Sequence, residues 1–215
     1  MESGWRLERG KWRSNSPNTL YPSTNCKCSF KISQLTKTYE NGKEMPELLD
    51  IELTQLIELI EEINYEGNEY LLMQRAGALA FNDLVEVFAR DGICKDKALI
   101  ALVLVRLKDL QVRDYAMGLT DSENIEGLWE MWRWLLNIAP AGFIAPVASL
   151  FSAVCYEKSE GALALKALDQ AIADNSKYPL ALLLRRVYSA GWPPESFATM
   201  RKELHPKVCA ALFSE

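Results

Sequence analysis

Four charged residues that lie close together in the sequence could bind an anion. Arg106 and Asp109, followed by Arg113 and Asp114, give two Arg/Asp pairings within nine residues. Guanidinium groups bind carboxylates and phosphates through paired hydrogen bonds, so one interpretation is a charged pocket that holds an anionic ligand. The other interpretation, which we favour, is a salt-bridged helix corner. Its side chains would then hydrogen-bond the terminal backbone carbonyls of their own helices.

Other residues capable of chemistry are isolated in the sequence. Glu61 and Glu62 could act as an acid and a base, but carboxylates flanked by isoleucines are typical of a solvated helix face. Cys26 and Cys28 form a C-x-C pair, whereas His205, the one histidine, is almost at the other end of the chain. A structural zinc site needs four such ligands. The sequence therefore predicts no metal site, no cofactor and no catalytic residue.

The charged corner lies among segments with helical periodicity. From Pro46 onward, apolar residues recur three or four apart, which predicts a single all-α domain of eight or nine helices over residues 46–215. Two helices have the clearest start and stop signals. The first covers residues 161–174, and the second begins at Pro179 and ends at Gly191. Further helices are predicted at 70–90, 96–108, 147–158, 195–204 and 208–213. Segment 96–108 is apolar on nearly all sides, so we expect it to be central, with 161–174 packed against it.

One predicted helix carries three tryptophans, Trp129, Trp132 and Trp134. Thr120 and Glu123 have the spacing of a capping box, so this helix should begin near residue 121. Three indole rings cannot all point along one narrow stripe. Either the helix is sandwiched between others, which we favour, or one ring reaches the surface as an aromatic platform for a ligand.

Residues 1–45 are predicted to form an irregular basic arm. They carry eight Lys/Arg against four Asp/Glu, whereas residues 46–86 carry one against ten. Large apolar residues are scattered along the arm, and soluble monomers rarely leave so much apolar surface bare. We therefore expect the arm to contact a protein partner or a second copy of the chain through Trp5, Trp12, Tyr21 and Phe30. Binding of nucleic acid would require a basic stripe on a folded helix, so the sequence argues against it.

Composition places the chain among soluble intracellular proteins. No uninterrupted apolar run is long enough to span a membrane, and the N-terminus has no apolar signal core. The five cysteines are an odd number, and Cys94, Cys155 and Cys209 lie in apolar helical patterns. Free buried thiols are typical of a reducing compartment, so we expect a cytoplasmic protein without a membrane partner.

Several of these segments together resemble one family. They are Leu107-Lys108-Asp109 with Val112-Arg113-Asp114, Ala139-Pro140, Ala145-Pro146-Val147-Ala148, residues 161–173, Leu180-Ala181-Leu182-Leu183-Leu184, and Ala190-Gly191-Trp192-Pro193-Pro194. They are similar to the C-terminal half of the actinobacterial domain-of-unknown-function 4192 family, most strongly at 161–194. The resemblance implies a helical fold and says nothing about activity, because the family has no established function or catalytic residues. Its members place an α/β region before the helical half, so we expect a short or split member whose arm is a remnant of that region.

A weaker similarity is to a single tetratricopeptide-type helix pair, carried by Phe151, Ser152, Tyr156, Ala164, Leu168, Ala171 and Ile172. No second copy follows at the period of about 34 residues that such arrays require, which favours helix-hairpin packing over a repeat array. The leading hypothesis is therefore a non-enzymatic interaction or scaffold module. The alternative is an enzyme subunit or anion-binding protein that uses the charged corner.

Overall fold

A computed structural model describes residues 5–8, 11–14, 52–63 and 68–213 of the chain. Nine helices occupy most of the described residues from 52 onward, which confirms the predicted all-α class. In chain order they are α1 (Leu53–Glu61), α2 (Asn68–Asp91), α3 (Lys97–Arg106), α4 (Leu110–Gly118), α5 (Ile125–Ile138), α6 (Ile144–Glu157), α7 (Gly161–Asp174), α8 (Pro179–Ser189) and α9 (Pro194–Phe213).

The arm contains a short β-hairpin that the sequence analysis did not predict. Strands β1 (Trp5–Glu8) and β2 (Lys11–Ser14) pair antiparallel, with Trp5 opposite Ser14 and Glu8 opposite Lys11. Apolar and charged residues alternate in both strands, and two residues ending in glycine separate them, which is a hairpin pattern. The predicted irregular arm is therefore corrected for residues 5–8 and 11–14.

The core is organised around α6. This helix is buried on every side from Ala145 to Cys155 and contacts α4, α5, α7, α8 and α9. Helix α3 is also largely buried, but its main neighbours are α1 and α2. Helix α7 packs chiefly against α6, so the prediction that segment 161–174 packs on segment 96–108 is wrong. An all-apolar helix surface does not specify its neighbour, and the short α6–α7 connection favours packing between these two.

The predicted starts of α3 and α8 are confirmed. Asp96 caps α3 by accepting hydrogen bonds from the backbone nitrogens of Ala98 and Leu99, at 2.9 and 3.0 Å. Pro179 is the first residue of α8, where its missing N–H costs no helical hydrogen bond. At Gly77, a Cβ atom would lie 2.8 Å from the Cβ of Arg106, so the glycine permits a close approach between α2 and the end of α3.

Two predicted helix starts are displaced. Helix α5 begins at Ile125 rather than near 121, because the Asp121 side chain accepts hydrogen bonds from the backbone nitrogens of Glu123 and Asn124, both at 2.8 Å. These bonds form a separate turn ahead of the helix. Helix α6 begins at Ile144 rather than 147, and Pro146 lies in its first turn, where proline is tolerated.

The last helix is continuous, although the sequence predicted two pieces. Helix α9 runs from Pro194 to Phe213 through Pro206. Buried contacts on both sides of the proline hold this helix: Arg201 bonds to Glu157, and the carbonyl of Leu212 accepts a hydrogen bond from Arg75. These contacts outweigh the single backbone hydrogen bond that proline removes. Across the described residues, the helices lack the combination of length and apolar character that crossing a bilayer requires.

Candidate functional site

The predicted charged corner lies where α3 ends and α4 begins. Asp109 is the N-cap of α4 and accepts hydrogen bonds from the backbone nitrogens of Gln111 and Val112, at 2.8 and 3.2 Å. It also accepts bonds from the Tyr70 hydroxyl and the Gln74 amide, at 2.5 and 2.9 Å. The bond to Asp109 is the main cause that raises the pKa of Tyr70. This carboxylate therefore fastens α4 to α2.

The two arginines of the corner are buried. Arg106 packs its Cβ against Gly77, while Arg113 donates two hydrogen bonds to one oxygen of Asp114, at 2.9 and 2.6 Å. Burial raises the pKa of the Tyr178 hydroxyl, and the neighbouring charge of Arg113 offsets this only in part. The structure brings Arg113, Asp114 and Tyr178 together, and it commits Asp109 to the helix end.

The predicted partner-binding residues of the arm fall in two groups. Trp5 lies on β1 and Trp12 on β2. Tyr21 and Phe30 lie outside the described residues, as do Cys26 and Cys28.

A groove of about 340 Å³ lies between α5 and α7, with α6 beneath it. Helix α5 lines one wall with Trp129, Arg133, Leu136 and Asn137. Helix α7 lines the other with Leu163, Lys166, Ala167 and Gln170, and Phe151 of α6 lies at the base. The volume is at the lower end of the range for ligand pockets, and the lining combines an apolar base with a few polar groups, as ligand sites do.

Trp129 is fixed at one end of the groove. Its indole nitrogen donates a hydrogen bond to Glu160 at 2.9 Å, and its ring lies 5.7 Å from that of Phe151. The ammonium group of Lys158 lies 5.1 Å from the ring and pairs with Glu126 at 2.5 Å. That hydrogen bond to Glu126 is the main cause that raises the pKa of Lys158. Trp129 is therefore a positioned aromatic surface rather than a loose side chain.

The other two tryptophans of α5 are structural. Trp132 is buried and stacks on Phe81 with ring centroids 5.1 Å apart, and Trp134 packs against Phe88 at 5.4 Å. Each of the two interpretations of this helix, a sandwiched core helix and a ring at the surface, thus fits some of its tryptophans. Two rings belong to the packed core, while the half-buried Trp129 lines the groove.

The charges in the groove are of one sign. Arg133 and Lys166 are both exposed, and within the described part of the chain neither forms a salt bridge. The guanidinium of Arg133 lies 5.3 Å from the Trp129 ring. Glu160, at the Trp129 end, is engaged by the indole and by Lys158 at 3.7 Å. A negatively charged ligand group would therefore find two available cations here.

The sequence marked Trp129 only as one of three tryptophans that could form an aromatic platform, and it did not mark Arg133, Asn137, Lys166 or Gln170 as site residues. A signal for them existed: each set recurs at three- or four-residue spacing on the polar side of its own helix. What the sequence lacked was the arrangement that places α5 and α7 on the same side of α6. Helix-period patterns give the faces of helices but not which faces adjoin.

Comparison with known proteins gives one match. The family model described as "Domain of unknown function (DUF4192)" matches residues 37–195, which is most of the chain. No curated protein and no solved structure matches the chain. The matched region contains both walls and the base of the groove, and also the charged corner. This chain belongs to the DUF4192 family.

Proposed function

We propose that this protein is a non-enzymatic interaction module that binds a segment of a partner protein in the groove between α5 and α7. The observation that carries the proposal is the groove itself: Phe151 forms an apolar base, Trp129 and Arg133 lie on one wall, and Lys166 lies on the other. Aromatic residues and arginine are the types that contribute most to binding energy at protein interfaces.

The chemistry of the lining favours binding over catalysis. The residues that line the groove are aromatic, aliphatic, cationic or amide, and they include no carboxylate, histidine, thiol or hydroxyl group. General acid–base and nucleophilic catalysis draw mainly on those missing groups, and the one amine present, Lys166, is exposed rather than desolvated as a catalytic lysine would be. Amides and cations, in contrast, are suited to hold the backbone and the charged side chains of a peptide.

A peptide-display selection on the full chain tests the proposal. The exposed Gln170 at the rim is replaced by tryptophan to fill the groove without disturbing the core, and Gln111→Trp places the same change on an exposed position of α4. Enriched peptides should bind the wild-type chain and Gln111→Trp equally, and Gln170→Trp at least about tenfold more weakly. Failure to enrich any peptide, or equal binding to all three proteins, would contradict the proposal.

The proposal includes a cytoplasmic location and a second contact through the arm. Support for the location comes from buried thiols: among the described residues, Cys94 and Cys155 are buried and form no disulfide. Support for the arm comes from its composition, because Trp5, Trp12, Tyr21 and Phe30 suit contact with a partner or a second copy. Deleting residues 1–40 should then raise the binding of a hydrophobic dye, and should halve the mass by light scattering if the arm crosses to a second copy. Unchanged dye binding and unchanged mass would contradict the arm contact.

The second candidate function is binding of an anion at the corner. Arg113 and the hydroxyl of Tyr178 are buried side by side, so an anion that reached them would meet a cation and a hydroxyl donor together. Thermal unfolding of Arg113→Ala, with and without inorganic phosphate, separates the two roles. Loss of a phosphate-induced shift at unchanged stability would support an anion site, whereas a loss of about 1 kcal/mol or more without any such shift would support a structural corner.

A further inference from the structure

We infer that the groove binds an extended peptide that presents an acidic side chain two residues away from an apolar one. This inference rests on the proposed interaction function and specifies the chemistry of its ligand. It comes from the order in which apolar, cationic and amide side chains follow one another along the two walls.

The two walls run in the same direction. Helices α5 and α6, and then α6 and α7, are joined by short connections, which makes each pair antiparallel and α5 and α7 parallel. The hydrogen bond from Trp129, near the start of α5, to Glu160, just before α7, fixes which levels face each other. Residues on the two walls can therefore be compared by their distance from this end.

Three chemical levels follow from a helical rise of about 1.5 Å per residue. Trp129 lies at the first end, and Leu163 on the other wall lies about 4.5 Å beyond Glu160. Arg133 lies about 6 Å beyond Trp129 along α5, and Lys166 lies about 9 Å beyond Glu160 along α7, so the two cations lie on opposite walls with an offset of about 3 Å along the groove. Asn137 and Gln170 follow about 6 Å beyond them as a third level of two amides.

The spacing of these levels matches an extended peptide. In a strand, side chains two residues apart lie on the same face and are about 6.6 Å apart. An apolar side chain seated on Trp129 would therefore place the side chain two residues later between Arg133 and Lys166. A carboxylate there would pair with both cations, which have no carboxylate partner within the described part of the chain.

The amide level selects an extended backbone over a helical one. Asn137 and Gln170 are both exposed, and each side chain carries a donor and an acceptor. An extended segment presents unpaired backbone N–H and C=O groups that these amides can bond. A helical ligand has already used its backbone groups along its length, and would leave both amides facing a surface without partners.

Fluorescence anisotropy with labelled, end-blocked octapeptides tests this inference. The probe carries leucine and aspartate two positions apart, Leu-Ser-Asp, in a glycine–serine background, and its matched control carries Leu-Ser-Asn. Each exposed charge pair contributes up to about 1 kcal/mol, so the Asp peptide should bind the wild-type chain about fivefold or more tightly than the Asn peptide. The difference should shrink as the salt concentration rises.

Charge reversal supplies the control within the protein. Lys166→Glu should abolish the preference for the Asp peptide and favour the corresponding Leu-Ser-Lys peptide. Lys177→Glu, the same change on an exposed lysine that does not line the groove, should leave the preference intact. Equal binding of Asp and Asn peptides overturns the inference. The inference is also overturned if the display selection enriches neutral, basic or helical peptides that bind in the groove. The proposed interaction function would survive that second result.

Discussion

Glu157 on α6 and Arg201 on α9 form a buried ion pair in which two guanidinium nitrogens donate to the two carboxylate oxygens, at 2.6 and 2.7 Å. Their side chains are only 6% and 2% exposed. The third guanidinium nitrogen donates to the backbone carbonyls of Gly118, at 3.2 Å, and Thr120, just beyond the end of α4. One arginine thus joins three helices and satisfies carbonyls that the helix end leaves without donors.

The first prediction concerns this pair. Arg201→Met should lower the free energy of unfolding by about 3 kcal/mol or more, because it leaves a buried carboxylate and two carbonyls without their donors. Urea denaturation at neutral pH measures the change. Arg185→Met is the matched control: its partner is Asp169, and the two side chains are 41% and 69% exposed, so the expected loss is below about 1 kcal/mol. Equal losses in the two variants would contradict the prediction.

The second prediction is that replacing two glycines by alanine changes the stability of the protein in opposite directions. A Cβ at Gly77 would lie 2.8 Å from Arg106 Cβ and 3.1 Å from a methyl group of Val112, so Gly77→Ala should destabilise the protein by about 1 to 2 kcal/mol despite its better helix propensity. Gly127 in α5 has no heavy atom within 4 Å of that position, and Gly127→Ala should stabilise by about 0.5 kcal/mol. Thermal melts of both variants give the two signs, and a stabilised Gly77→Ala would refute the close approach.

The third prediction concerns a cap supplied from a distant helix. Asp174, the last residue of α7, accepts hydrogen bonds from the backbone nitrogens of Gly142 at 2.6 Å and Ala145 at 2.9 Å, at the start of α6. Asp174→Ala should cost about 1 to 2 kcal/mol, and Asp174→Asn less, since the amide oxygen still accepts a bond but carries no charge. Chemical denaturation should rank them in that order. If Asp174→Ala costs no more than Asp169→Ala on the exposed face of α7, the cap contributes nothing.

These three features show what the sequence could predict of the fold. Patterns within a helix were reliable: the start of α3 at Asp96 and the start of α8 at Pro179 both depend on residues near in sequence. The contacts of Arg201 with Glu157, and of Asp174 with Gly142, join residues 44 and 32 positions apart. No local period signals such pairs, so the sequence predicted neither the continuity of α9 nor the central place of α6.

The candidate site was predictable only in part for the same reason. Three tryptophans exceed what one helix stripe can bury, so the sequence left open an exposed ring on α5 but did not indicate that it was Trp129. Lys166 and Arg133 read as ordinary residues of solvated helix faces. Their role as opposite walls of one groove depends on how α5 and α7 pack on α6, which is a tertiary property.

The last prediction is a dependence of stability on pH that His205 causes. Its ring packs 5.6 Å from that of Tyr115, and a Cβ at Gly118 would fall within 2.0 Å of its Nδ1, which shows how closely α4 covers it. Burial, with a smaller contribution from the charge of Arg201, lowers the pKa of His205 to about 4. In the unfolded chain the ordinary value is about 6.5. Between these two values the unfolded chain binds a proton that the folded protein does not.

The free energy of unfolding should therefore fall as the pH drops from about 6.5 to about 4, with a contribution from His205 on the order of 2 kcal/mol that is absent above pH 7. In His205→Gln this contribution should disappear. Because loss of the ring also lowers the absolute stability, the two proteins are compared by the slope of their unfolding free energy against pH. The half-buried Asp83, whose pKa burial raises, titrates in both proteins and cancels in the comparison. Equal slopes between pH 7 and 4.5 would mean that the His205 ring takes up its proton as readily in the folded protein as in the unfolded chain.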